Sequence, residues 1–137
     1  CFEELILHKV DLSGIILKPN MILPGNQSKE KISSEEIAKK TLECLKNSVP
    51  VEVPGIAFLS GGQSEIDATE NLNLISKNNN TNFIMTFSYG RALQQSALKM
   101  WSKNPKDTIA TQSTFNHRAR MCTLAAQGKW SIELENK

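Results

Sequence analysis

The chain has 137 residues and a formal net charge of +2, with 39% hydrophobic and 22% charged residues. This length suits one domain with its own core, and the composition is typical of a soluble globular protein. The small positive charge, spread over scattered lysines and arginines, does not favour a nucleic-acid partner. No apolar run approaches the ~20 residues that span a bilayer, so we expect no membrane partner either.

The three cysteines, Cys1, Cys44 and Cys122, lie far apart and form neither a metal-ligand pair nor a redox pair. The two histidines also lack a partner at ligand spacing, so the sequence predicts no metal and no cofactor. Unpaired cysteines and the lack of a signal-peptide pattern favour the reducing cytoplasm. Because the chain begins with Cys1 rather than methionine, we expect a longer parent protein.

The first predicted strand, residues 14–18, is a short apolar run that ends in Lys18 and is stopped by Pro19. Residues 1–10 before it fit either the tail of a helix or the approach to this strand. Lysine is rarely buried without a partner. Burial disfavours the charged form of an amine and so makes it nucleophilic at neutral pH. A solvated lysine at a strand end is the plainer alternative.

A loop is predicted over residues 21–31, with a Pro-Gly-Asn turn at 24–26. A helix should then start at Ser33, where Glu36 completes a capping box. Its apolar face is predicted to consist of Ile37, Thr41, Leu42 and Leu45.

The second and third predicted strands, residues 56–59 and 83–87, each run directly into a small-residue turn and then a helix. Ser64 is the expected N-cap of the first of these helices. The first helix is predicted to place Ala68, Leu72 and Ile75 on its inner face. The second carries Leu93, Ala97, Leu98 and Trp101, and we expect Trp101 to be packed. A last helix is predicted over residues 107–127, with Ile109, Phe115, Ala119 and Cys122 on one side, before a frayed end.

Strands that are apolar on all sides and connected by helices are typical of parallel sheets covered by helices. In such folds the ligand site lies at the carboxyl ends of the strands. Those ends carry Lys18, the turn of Ser60, Gly61 and Gly62, and the turn from Ser88 to Arg91. Glycine N–H groups and a guanidinium suit an anion. Taken singly, a tight turn and a solvated arginine are the plainer alternatives.

Four segments resemble class I fructose-bisphosphate aldolases. Residues 17–21, LKPNM, are similar to the Schiff-base lysine motif of that family, and residues 55–65, GIAFLSGGQSE, to its phosphate-loop motif. Residues 86–94, TFSYGRALQ, resemble the segment after its last strand, and residues 126–129, AQGK, a motif near its C-terminus. The order and spacing of the segments also match.

The resemblance implies an α/β fold, namely the C-terminal portion of a (β/α)8 TIM barrel, with three strand–helix units plus a C-terminal helix. Residues 1–137 would then belong to a single barrel domain, with strands six to eight of the family. It further implies glycolytic cleavage of the phosphorylated ketose fructose 1,6-bisphosphate to dihydroxyacetone phosphate and glyceraldehyde 3-phosphate, in a cytoplasmic homo-oligomer. Lys18 would be the nucleophile, and the phosphate-binding residues would be Ser60, Gly61, Gly62, Ser88 and Arg91.

The sequence departs from the family pattern at several points. Other acid/base residues of the family belong upstream of Cys1, and the C-terminal tyrosine is missing, since Tyr89 is the only tyrosine. Ser13 replaces a usual acid, and Trp130 stands where a tyrosine is common. Two alternatives therefore stay open: a truncated or degenerate non-catalytic homologue with a phosphosugar- or protein-binding role, and a partial domain without a function. We expect the 137 residues alone to be inactive.

Overall fold

The computed structural model describes residues 1–25 and 27–136. Position 26 of the expected turn lies outside the described residues. The elements in chain order are α1 (Phe2–Leu7), a 3-10 turn (Leu12–Gly14), β1 (Ile16–Leu17), α2 (Ser34–Ser48), β2 (Gly55–Phe58), α3 (Glu65–Lys77), β3 (Ile84–Phe87), α4 (Arg91–Lys103), α5 (Thr108–Ala126) and a C-terminal 3-10 helix (Ile132–Asn136). Within the described ranges, no helix is both long and apolar enough to cross a membrane.

The three strands form one parallel sheet in the order β1-β2-β3. Gly55 of β2 lies opposite Ile16 on one side and Ile84 on the other. Each connection between neighbouring strands carries a helix, as parallel pairing requires. The predicted parallel α/β arrangement is therefore confirmed.

Local signals begin the long helices where the sequence predicts them. The side chain of Ser33 accepts a hydrogen bond from the backbone N–H of Glu36 at 3.3 Å, and Ser64 accepts from that of Asp67 at 3.0 Å. These bonds satisfy N–H groups that have no partner within the helix. The predicted inner faces of α2 and α3 are confirmed, because all of the following are buried: Ile37, Thr41, Leu42, Leu45, Ala68, Leu72 and Ile75.

The core lies between one face of the sheet and the helices α3 and α5, which pack against each other. Ile56 and Phe58 of β2 and Cys122 of α5 are fully buried in it. This packing leaves the loops at the carboxyl ends of the strands attached to rigid elements.

The prediction of a buried first strand over residues 14–18 is wrong in two respects. The Asp11 side chain accepts from the backbone N–H of Ser13 at 3.0 Å, which stabilises the 3-10 turn and shortens the strand to Ile16–Leu17. Ile16 is 67% exposed, because no layer in the described residues covers its face of the sheet.

Three expectations on the last helices are also corrected. Trp101 and Ile109 are 52% and 81% exposed, so neither packs in the core of this chain. The described residues after α5, up to Asn136, are not frayed, since Trp130 is buried and its indole N–H donates to Glu135 Oε1 at 2.7 Å. The buried side of α5 is formed by Arg118, Met121, Cys122 and Ala125.

Candidate active site at the carboxyl ends of the strands

The segments that follow the three strands emerge side by side at one edge of the sheet. Hydrogen bonds continue past the strand ends: the backbone N–H of Leu59 donates to the Pro19 carbonyl at 3.0 Å, and that of Ser88 donates to the Phe58 carbonyl at 2.8 Å. These bonds hold the residues after β1, β2 and β3 at a common level. Lys18 therefore shares this edge with the two turns predicted to bind an anion.

Lys18 follows directly after β1, and its side chain is exposed. The sequence left two alternatives open, a lysine made neutral by burial and a solvated lysine, and the described residues do not bury it. The physical reason is the short β1 strand, which has a neighbour on one side only. Any desolvation of this amine must come from residues on the open side of the sheet.

The glycine loop, formed by Ser60, Gly61 and Gly62, has a backbone that only glycine adopts readily. Gly61 and Gly62 have φ values of +60° and +85°, in the left-handed region. A Cβ atom on Gly61 would overlap the side-chain amide of Asn20, whereas one on Gly62 would meet open space. The loop leads within two residues to the Ser64 N-cap of α3, whose positive end favours an anion.

Side-chain amides behind the glycine loop hold its shape. Gln63 Nε2 donates to the Ser60 carbonyl at 2.9 Å and lies 3.6 Å from Met21 Sδ, and Asn71 Nδ2 donates to Gln63 Oε1 at 2.7 Å. Sequence reasoning missed the supporting roles of Gln63, Asn71 and Asn20. The signal available for Gln63 was its place immediately after the two glycines, whereas no local pattern indicates Asn71.

Arg91 begins α4, after a Gly90 N-cap that has no side-chain hydrogen bond. Its side chain and that of Ser88 are exposed, whereas Tyr89 between them is buried and donates to the Ala68 carbonyl at 2.9 Å. Burial raises the pKa of the Tyr89 phenol, so this hydroxyl stays a neutral donor that anchors the turn.

A cavity of about 280 Å³ lies between the glycine loop and α4. Its lining residues are Gly62, Gln63, Arg91, Gln95 and Leu98. The structure thus brings Gly62 and Arg91 to one cavity, with Lys18, Ser60 and Ser88 at the same edge of the sheet but outside this lining. In the part of the chain that the structure describes, no three His, Cys, Asp or Glu side chains come together as a metal site.

Comparison with known proteins places this arrangement in a family context. The family model described as "Glycolytic: Fructose-bisphosphate aldolase class-I" matches residues 1–137. The chain is 47% identical to fructose-bisphosphate aldolase 2 of Caenorhabditis elegans and 45% identical to the chloroplastic fructose-bisphosphate aldolase 2 of Arabidopsis thaliana, covering 96% and 99% of this chain. It spans only 36% and 34% of those relatives.

A solved structure of fructose-bisphosphate aldolase from Plasmodium falciparum, in complex with TRAP and a small-molecule inhibitor, matches with a TM-score of 0.91 and 38% identity. The match covers 95% of this chain and 38% of that one. The three strands and their helices are therefore arranged as in part of an aldolase barrel, which confirms the predicted fold class.

Proposed function

This chain belongs to the class-I fructose-bisphosphate aldolase family, and we propose that, as part of a complete barrel, it serves the cleavage of fructose 1,6-bisphosphate to dihydroxyacetone phosphate and glyceraldehyde 3-phosphate. The observation that carries this proposal is the shared edge of the sheet, where a lysine, a glycine loop and an arginine follow three neighbouring strands. Barrel enzymes in general bind phosphate at the loops after their last strands.

Lys18 is the proposed nucleophile. Its neutral amine adds to the ketose carbonyl carbon, and loss of water leaves an iminium. A base takes the proton of the hydroxyl on the carbon β to the iminium carbon. That carbon becomes the aldehyde carbonyl as the bond between the α- and β-carbons breaks, and the electron pair of this bond forms the enamine by neutralising the iminium nitrogen. The aldehyde leaves, the resulting enamine is protonated, and water then releases dihydroxyacetone phosphate from Lys18. The strands that complete the barrel would bury this exposed amine and supply the proton-transfer groups.

The phosphate of the ketose is proposed to bind at the second and third strand ends. The glycine loop offers backbone N–H groups beside the positive end of α3, and Arg91 offers a planar fork of donors. Anchoring the phosphate fixes the carbonyl against the amine, which lowers the entropic cost of reaction. The residues assigned to this role are Ser60, Gly61, Gly62, Ser88 and Arg91.

A non-catalytic role remains the second candidate, and the open sheet favours it. Ile16 and Ile84 are 67% and 72% exposed on the uncovered face, so this chain by itself does not enclose a site. We expect the 137 residues alone to show no cleavage. Cytoplasmic localisation and a homo-oligomer of the whole protein also stay predictions, since relatives named chloroplastic exist.

The proposal is tested by trapping the iminium in a complete barrel, made by replacing the matching third of the Caenorhabditis elegans relative with this chain. Borohydride with dihydroxyacetone phosphate should leave a stable adduct on Lys18, located by peptide mass spectrometry. Lys18→Arg should abolish it, because a guanidinium stays protonated, and Lys99→Arg, at an exposed lysine on α4, should not. An adduct on Lys9 or Lys99 would overturn the assignment.

A further inference from the structure

A carboxylate joins α4, which borders the cavity, to α3, the helix that follows the glycine loop. Glu65 is the first residue of α3, and its Oε1 accepts from the backbone N–H of Ser96 in α4 at 2.9 Å. Its Oε2 accepts from the Ser96 hydroxyl. Both side chains are half-buried, so the two bonds are partly shielded from water. Hydrogen bonds to a carboxylate are stronger than those between neutral groups.

The position of this pair is what makes it relevant to the site. Glu65 lies three residues after Gly62, and Ser96 lies five residues after Arg91, about one turn into its helix. The two helices therefore cannot separate or slide without breaking both bonds. The cavity lies between α4 and the glycine loop that leads into α3, and Gly62 and Arg91 line it from these two sides.

We propose that Glu65 is a positioning residue that sets the spacing between the glycine loop and Arg91, and so the fit of the site to a phosphate group. The inference rests on the proposed function for the identity of the anion. Glu65 acts through Ser96 and the two helices and does not touch the substrate. Displacement of donors by a fraction of an ångström weakens anion binding, because charge-assisted bonds depend on distance and angle.

The test compares the affinity for inorganic phosphate with overall stability in the complete barrel. Glu65→Ala should weaken phosphate binding, measured by isothermal titration calorimetry, by about tenfold. It should raise KM for fructose 1,6-bisphosphate by a similar factor while lowering kcat less. Glu65→Gln keeps an acceptor for the Ser96 N–H and should recover most of the affinity. Ser96→Ala, which removes only the hydroxyl, should fall between the two.

Asp107→Ala is the matched control. Asp107 caps α5 by accepting a hydrogen bond from the backbone N–H of Ala110 at 3.0 Å, and it does not line the cavity. Its loss should lower the melting temperature and leave phosphate affinity unchanged. If Glu65→Ala also lowers the melting temperature without weakening phosphate, the pair is merely structural and the inference is wrong.

Failure of the proposed function would be visible separately. If the complete barrel without point substitutions binds phosphate yet neither cleaves the ketose nor forms the adduct, that result would refute the aldolase proposal. The phosphate affinities of the Glu65 and Ser96 variants would then still decide the role of Glu65. An unsubstituted barrel that binds no phosphate would overturn both.

Discussion

The two faces of the sheet differ in how completely this chain covers them. On the helix side, Ile56 and Phe58 are fully buried and Met85 is 6% exposed. On the opposite side, Ile16 and Ile84 are largely exposed, and Ala57 between their strands is half-buried. The helices of this chain thus cover one face of the sheet, whereas no described residues cover the opposite face. The candidate site lies at the edge where the two regions meet.

The helix side also satisfies its buried charges internally. Arg118 is 3% exposed, pairs with Glu135, and donates from NH1 to Thr69 Oγ1 at 3.3 Å. Glu135 further accepts from the Trp130 indole and contacts His117 Nε2 at 3.4 Å. A buried charge is tolerated only when it is paired in this way. The comparison shows that buried packing and paired charges are concentrated on one face, and that the candidate site lies at the border of that face.

Introducing a charge on the uncovered face should give the largest difference in stability between the complete barrel and this chain alone. Ile84→Asp should cost about 3–5 kcal/mol in the complete barrel, where the side chain faces the barrel interior, because an uncompensated charge is then buried. In the 137-residue chain the same change should cost no more than ~0.5 kcal/mol, as at an ordinary surface position. Urea unfolding of both proteins measures the two free energies. The control is Ile84→Val, which keeps an apolar side chain.

Equal costs of Ile84→Asp in the two proteins would break the comparison. Such a result would mean that the face holding Ile84 meets water in the barrel as well, and that the exposed isoleucines are not a missing interface.

A substitution on the helix side should instead have the same effect with or without the rest of the barrel. Arg118→Leu leaves Glu135 without its ion-pair partner and should lower the free energy of unfolding by about 3 kcal/mol in both proteins. The double variant with Glu135→Leu should recover much of that loss, since an apolar pair of similar volume carries no unpaired charge. A double variant as unstable as Arg118→Leu would show that packing, not charge, accounts for the loss.

The sequence predicted those features that depend on neighbours along the chain. Ser33 and Ser64 each cap a helix through the residue three positions further on, and the apolar spacing of α3 identifies Leu72 and Ile75 as buried. The order of strands and helices then predicted a parallel sheet and the common edge that holds the candidate site. The chemical roles of the residues at that edge stay predictions.

The wrong predictions concern contacts between residues that are distant in the chain, which no local sequence pattern indicates. An apolar run at residues 14–18 indicates that something covers Ile16, but the covering layer is not within the described residues. The prediction of a frayed C-terminus was wrong because Arg118 and Glu135, 17 residues apart in the chain, form a hydrogen bond. Glu65 and Ser96 were missed for the same reason, since 31 residues separate them and each alone resembles a solvated helix residue.

Lowering the pH should reduce the free energy of unfolding on the helix side by less than Arg118→Leu does. Burial opposes the charge of Glu135, but hydrogen bonds from Arg118, Trp130 and His117 outweigh it and lower the pKa of Glu135 from its ordinary value of 4.5. Because the folded pKa lies below the unfolded one, this carboxylate contributes stability above about pH 4.5 that is lost as the pH falls through the folded pKa. Glu135→Gln should therefore flatten the pH dependence of unfolding in this acid range. A slope as steep as in the unsubstituted protein would assign it to other carboxylates.

The smallest expected effect lies at the border between the two regions, in the glycine loop. Gly61→Ala and Gly62→Ala each place a Cβ in the left-handed region, at a cost of about 1–2 kcal/mol. Only at Gly61 would the Cβ also displace the Asn20 amide, whose Oδ1 accepts from the Met21 N–H at 2.9 Å. Gly61→Ala should therefore cost about 1 kcal/mol more than Gly62→Ala, the net value of one hydrogen bond, by urea unfolding of the complete barrel. In an Asn20→Ala background the two glycine variants should cost the same, because this hydrogen bond is already absent there and no amide remains for the Cβ to displace. If the two glycine variants cost the same, the amide moves aside freely, and contact with the segment after β1 does not hold the glycine loop in place.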